Sequence, residues 1–225
     1  KKVAASEGGP RVPIRLLDGC RVLPADKTLA DCGIELGSSL TVIKRLVHWD
    51  DTLSSDSVVI AEETARRILT KSNLNDYSAI AAGAFVITSG VATFHFTDIK
   101  TQDGDGAICF GIADSDRFTK ESSGFACFLN AFSGVIYLME DGVHGKRSNG
   151  ERSKRLQEVN CRNMPNGSRA SFQVNMDSRS VSVSIENGTF VPVEDVTLPV
   201  SVLPFAWLFG RPGDSVALSC DLGCI

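Results

Sequence analysis

From about residue 57 onward, apolar and polar residues alternate in short runs separated by clusters of Gly, Asn, Asp and Ser. Phe172-Gln173-Val174-Asn175-Met176 and Val181-Ser182-Val183-Ser184-Ile185 show this period of two most clearly. Such a period puts one set of side chains on a buried face and the other in solvent, as in antiparallel strands. Further strands are expected at Ala84–Ile87, Ala92–Phe96, Ala107–Ile112, Gly124–Leu129, Val135–Met139, Phe205–Phe209 and Ser215–Ser219. Asn187-Gly188 suits the positive φ angles of a tight hairpin. Pro212-Gly213-Asp214 marks another turn. Many short strands with regular turn signals predict a β-sandwich. One helix is expected, at Ile60–Leu69, where Ile60, Thr64 and Ile68 recur at helical spacing, as do Ala61, Ala65 and Leu69.

Residues 1–46 differ in pattern and are dense in turn signals. Between the two regions, residues 47–56 include His48-Trp49-Asp50-Asp51 and read as a polar, acidic connector. The expected organisation is therefore 1–46, a linker at 47–56, and a sandwich over 57–225. The chain begins at Lys1 rather than Met, which suggests a fragment.

Composition changes this picture little. The 225 residues are 43% hydrophobic and 22% charged, enough to bury a core. A net charge of −4 does not steer the chain toward nucleic acid, and its apolar runs are too short to span a bilayer. Neither partner is expected. The seven cysteines are widely spaced with no C-x-x-C pair, so they read as reduced structural thiols in an intracellular protein, cytoplasmic or nuclear.

The first region resembles the C-terminal part of ubiquitin-like domains. The resemblance is carried by Glu7-Gly8-Gly9-Pro10 after a helix end, Arg15-Leu16-Leu17, Thr28-Leu29-Ala30-Asp31 through Ile34, and Ser39-Leu40-Thr41-Val42-Ile43. It covers about a fifth of the chain and implies a truncated β-grasp lacking its first hairpin. No terminal Gly-Gly follows, so the resemblance implies an integral domain rather than a conjugated modifier. It places Leu17 and Ile43 where the family presents its partner-binding apolar patch; they would otherwise be ordinary sheet residues.

The second region resembles the SPRY family, a jelly-roll sandwich of the concanavalin type. Ser89–Phe96, Ala107–Ala113, the Ser171–Gly188 hairpin and Leu203–Leu218 carry this resemblance. Phe94-His95 stands where the family usually has Trp-Glu. SPRY domains bind peptides or protein surfaces through loops, so the resemblance implies a protein or peptide ligand.

Catalytic chemistry finds little support. His48, His95 and His144 form no zinc-binding spacing. There is no Gly-x-Ser-x-Gly elbow and no phosphate loop. Asp114 and Asp116 could share a strand face as a glycosidase pair, but they border a turn. Asp103-Gly104-Asp105-Gly106 hints at calcium and reads better as a solvated turn. Asn166-Gly167-Ser168 and Asn187-Gly188-Thr189 are formal glycosylation sequons that read first as turns. Lys146, Arg147, Arg152, Lys154 and Arg155 form a basic stretch that reads as a solvated loop.

The expected protein is a non-catalytic adaptor of mainly β class: an antiparallel SPRY-like sandwich preceded by a truncated ubiquitin-like part, using no metal or cofactor. Its sandwich binds a protein or peptide through loops carrying Asp103, Asp105, Asp116, Arg117, Asn130, Lys146 and Arg147. Its first region docks ubiquitin-pathway proteins. The alternatives are a fragment of a larger ubiquitin ligase and a carbohydrate-binding sandwich.

Overall fold

The computed structural model describes residues 14–18, 21–23, 27–35, 37–38, 40–44, 49–63, 66–72, 79–102, 108–120, 122–143, 153–159, 161 and 163–222. The chain divides into two compact units, with the break between Leu46 and Val47.

In the first unit, β1 (Ile14–Asp18) is the central strand of an antiparallel sheet, between β2 (Arg21–Val22) and β3 (Thr41–Lys44). Arg15 faces Ile43 and Leu17 faces Thr41 across the β1–β3 ladder. A hydrogen-bonded turn follows at Thr28–Ile34. Cys32 N donates to Thr28 O at 3.1 Å, and Gly33 closes the turn at φ +74°. Thr28 and Asp31 cap each other, and the Thr28 hydroxyl and amide donors hold the Asp31 carboxyl below the usual range. The expected helix exit at residues 1–10 lies outside the described residues.

The second unit is a two-sheet antiparallel sandwich. After the short 3-10 turn Asp51–Leu53 come β4 (Val58–Glu63), β5 (Arg66–Lys71), β6 (Ala79–Ala82), β7 (Val91–Lys100), β8 (Ile108–Asp114), β9 (Ser122–Asn130) and β10 (Val135–Val143). They are followed by β11 (Ser153–Glu158), β12 (Ser168–Asn175), β13 (Ser180–Ile185), β14 (Val191–Pro192), β15 (Val202–Leu208) and β16 (Ser215–Leu222). One sheet has the order β11-β10-β9-β8-β15-β6 and the other β14-β13-β12-β7-β16-β5-β4. Their inner faces meet in a core where Phe96 stacks on Phe110 at 4.9 Å and Phe172 meets both edge-on. Alternation delivers these side chains: Phe94 and Phe96 from β7, Phe110 and Ile112 from β8, Phe172 and Val174 from β12.

The helix expected at Ile60–Leu69 is instead the β4–β5 hairpin. Spacing of four satisfies a period of two as well as one of 3.6, so Ile60 and Ile68 fit either element. The backbone register sets Ile60 opposite Leu69 and Ala61 opposite Ile68. Ala84–Ile87, expected as a strand, makes only the Ile87–Val202 bridge. Asn187-Gly188 is not the positive-φ pair of its turn; Glu186, at φ +55°, takes that conformation, and Gly188 N closes the turn onto Ile185 O at 3.0 Å. Lys154 and Arg155, expected in a loop, lie on the edge strand β11.

Residues 49–55, read as a connector, are packed on the sandwich. Trp49 is fully buried in the main core against Phe96. Asp50 N donates to Ala82 O at 2.7 Å, and Ser55 N to Ile80 O at 2.8 Å. These bonds cover the open edge of β6, which would otherwise present unpaired backbone groups.

Candidate functional site

The six-stranded sheet is apolar on both faces. On β15, Val202, Ala206 and Leu208 enter the main core, while Leu203, Phe205 and Trp207 belong to a separate cluster. The same division splits Ile112 from Ala113 on β8, Leu129 from Phe128 on β9, and Ile136 from Tyr137 and Met139. Alternating side chains point to opposite faces, so the second cluster lies on the outer face of this sheet. An outer sheet face in a sandwich is ordinarily polar. Here it carries Phe128 stacked on Tyr137 at 5.7 Å, Phe205 edge-on to Phe128 at 6.2 Å, and Trp207 against Phe209 at 3.9 Å. Phe118, from the β8–β9 connection, folds onto Phe205 at 6.3 Å. Tyr137, Trp207 and Phe209 are partly exposed, while Phe205 in the same cluster is fully buried.

Asp116 and Arg117 are exposed on the same connection, immediately before Phe118. The buried Asp114 carboxylate accepts Asp116 N at 3.0 Å and holds the turn. It therefore acts as a cap, and the Asp114–Asp116 pair does not form two facing carboxylates. The Arg117 side chain lies over Gly124, where a Cβ would come within 2.7 Å of Arg117 Cβ.

Asn130 sits elsewhere. It pairs with Cys109 at one end of β8, whereas Asp116 follows the other end. Five residues of strand separate the two ends, about 17 Å at 3.3 Å per residue. The Asn130 side chain accepts Phe132 N and Ser133 N, both at 3.0 Å, so it caps the β9–β10 turn. Asp103, Asp105, Lys146 and Arg147 lie outside the described residues. Leu17 and Ile43 are placed on β1 and β3 by backbone pairing alone. The sequence signal for the aromatic face is the apolar character of the out-of-phase strand positions Tyr137, Phe205 and Trp207.

A polar cluster sits on the outer face of the other sheet. His95 Nδ1 lies 2.8 Å from Ser171 Oγ and 2.8 Å from Arg169 Nη2. Serine and guanidinium converge on one imidazole lone pair, and both His95 and Ser171 are buried. That nitrogen is therefore not a free base for activating the serine. Among the described residues no three His, Cys, Asp or Glu side chains form a metal-binding group, and no helix is long and apolar enough to cross a membrane.

Burial pushes the Cys127 thiol up to about 12 and drives Cys109 up as well, with Asn130 opposing only weakly. The half-buried Cys161 is raised to about 11. Thiolate, the reacting form, is thus scarce at neutral pH. Iodoacetamide at pH 8 is expected to label Cys109 and Cys127 only after denaturation, as read by peptide mass spectrometry. Since these thiols ionise more readily unfolded, they also make stability decline as pH rises above about 9.

No known family profile matches the chain, and no curated protein matches its sequence. Solved structures do match. The SPRY domain of human HERC1 aligns at a TM-score of 0.56 and 18% identity, covering 78% of this chain and 98% of that one. The TRIM65 PSpry domain aligns at 0.49 and 10% identity, covering 78% and 90%. The carbohydrate-binding module CBM66 of Bacillus subtilis aligns at 0.49 and 8%, covering 79% and 97%. The fold is that of a SPRY-type β-sandwich. The structure that carries this statement is the HERC1 domain.

Proposed function

We propose that this chain is a protein-interaction module that binds a protein or peptide on the outer aromatic face of its six-stranded sheet. The observation that carries the reading is that Tyr137, Trp207 and Phe209 are partly exposed and belong to the same outer-face cluster as the buried Phe128 and Phe205. Aromatic anchors within a polar rim are what binding hot spots use, and Asp116 and Arg117 supply charge beside Phe118, at the end of the face away from Trp207. Asn130, level with Trp207 across the sheet, is left out because its side-chain oxygen is committed to the β9–β10 turn.

The first unit is read as a ubiquitin-like docking part with Leu17 and Ile43 as its anchors. The β2-β1-β3 pairing and the Thr28–Ile34 turn are compatible with half of a β-grasp. No catalytic role enters this reading.

Capture from cell lysate on the full chain tests it. Trp207→Ala combined with Phe209→Ala is expected to abolish recovery of a discrete partner. Asp116→Ala with Arg117→Ala is expected to weaken it about three- to tenfold, since rim charges contribute less than buried anchors. Capture unaffected by the aromatic pair, or a glycan-array signal that depends on it, would overturn the assignment.

A further inference from the structure

The chain leaves its straight path where β15 ends. The strand stops at Leu208, and the backbone bends at Gly210 before the Pro212-Gly213 turn leads into β16. Trp207 and Phe209 are two residues apart and would stand about 6.6–6.8 Å from each other along a straight strand. Their ring centroids are 3.9 Å apart and tilted by 39°. The two partly exposed rings thus lean together beside the bend and form one apolar body.

A single residue reaches across to hold that bend. Lys71, the last residue of β5, comes from the other sheet and is 2% exposed. Its Nζ donates to Gly210 O at 2.7 Å. Its backbone grips the far side of the turn: Lys71 N donates to Asp214 O at 3.0 Å, and Lys71 O accepts Gly213 N at 2.9 Å. The β7–β8 connection backs the same residues, with Gln102 N donating to Asp214 Oδ1 at 2.8 Å and Gln102 Nε2 to Gly213 O at 3.0 Å. Residues 213 and 214 are therefore anchored by main chain and by Gln102, whereas Gly210, next to Phe209, is held by the Lys71 ammonium. Burying an ammonium costs more than burying an apolar side chain of the same length. Packing alone would be served by methionine. The charge is used here to grasp a carbonyl that has just left the sheet.

We infer that Lys71 is a positioning residue for the aromatic face: by holding Gly210 O it fixes the bend that presents Phe209 and Trp207 together to the partner. The inference rests on the reading of that face as the binding surface and adds what presets it. A surface preset in the free chain loses less free energy to ordering its side chains on binding.

The protein has two tryptophans, Trp49 in the core and Trp207 on the face. Fluorine NMR of the full chain labelled with fluorotryptophan reads each separately, and Trp207→Phe assigns the two signals. Phe209→Leu removes the neighbouring ring and shows where the Trp207 resonance lies without it. Lys71→Met keeps the length of the side chain and the backbone bonds to Gly213 and Asp214, and removes the bond to Gly210. It is expected to move the Trp207 resonance most of the way to its Phe209→Leu position while the Trp49 resonance stays in place. Val181→Ala, a core truncation on β13, four places along the sheet from β5, lowers stability without touching the bend and should move neither signal. A Trp207 resonance that stays still in Lys71→Met overturns the inference, as does one that moves as far in Val181→Ala, which would mark general loosening. Partner recovery from lysate by Lys71→Met is expected to fall about three- to tenfold, the range set by ordering one or two side chains. Full recovery with a moved resonance would equally overturn a positioning role in binding. The Trp207→Ala with Phe209→Ala capture judges the face itself, since those variants keep Lys71 and the NMR comparison uses no partner.

Discussion

Replacing Gly111 by alanine is expected to prevent the sandwich from folding. Gly111 sits in the middle of β8, opposite Phe128 on β9 and Phe205 on β15. A Cβ there would collide with the carbonyl oxygen of Cys127 and come within 2.7 Å of Phe128 Cα. Both atoms are backbone of a neighbouring central strand, so no rotamer change relieves the clash. Either the β8–β9 ladder opens or β8 shifts relative to both sheet faces. Overpacking of a closed core costs about 1–3 kcal/mol even where side chains yield. Here only backbone can yield, and the expected loss is at least about 3 kcal/mol, a large share of the stability of a typical domain. Gly167→Ala is the comparison. Nothing lies within 4 Å of its added Cβ, and its cost is the left-handed backbone at φ +88° alone, about 1–2 kcal/mol. Urea unfolding of the two variants should therefore separate them clearly. A Gly111→Ala protein as stable as Gly167→Ala would mean that the β8–β9 approach is looser than described.

The parts of this fold legible in the sequence are those where one rule acted alone. β12 and β13 alternate cleanly, with Phe172, Val174, Val181 and Val183 turned inward, and the period of two alone marks them as strands. β4 and β5 look helical in the sequence because their apolar spacing satisfies both periods at once. β6 escaped because Ala79–Ala82 is short and carries no polar beat; it is buried on both faces and gives periodicity nothing to detect. The candidate site was harder still. Loops usually carry function, and Asp116 and Arg117 lie exposed at one end of the sandwich. Asn130 sits at a strand end where the same rule points, yet Asn is also the residue that caps turns, and that is how its side chain is used. The aromatic face is written in the strands themselves, where both phases of β15 are apolar in a sandwich with only two layers.

Trp49 carries the second large expected effect. It lies in a stretch whose composition, with Asp50, Asp51 and Asp56 close by, reads as a solvated connector. Yet its side chain is fully buried among core residues, 6.4 Å from Phe96, and its backbone bridges Gly83. Trp49→Ala should cost about 3–5 kcal/mol, through lost burial and the cavity left behind. Trp49→Phe should cost far less. The indole Nε1 is buried without a hydrogen-bond acceptor, so phenylalanine keeps most of the packing and removes an unsatisfied donor. The two variants thus separate packing from polarity, and chemical denaturation of the full chain reads both. The same geometry bears on where the sandwich begins. A chain starting at residue 57 loses Trp49 together with the Asp50–Ala82 and Ser55–Ile80 bonds that cover β6, whereas one starting at residue 47 keeps them. Cooperative unfolding is expected for the 47–225 chain, and a loss at least as large as that of Trp49→Ala for 57–225. Equal stability of the two would mean that the core closes without the tryptophan, and that the acidic stretch is a connector after all.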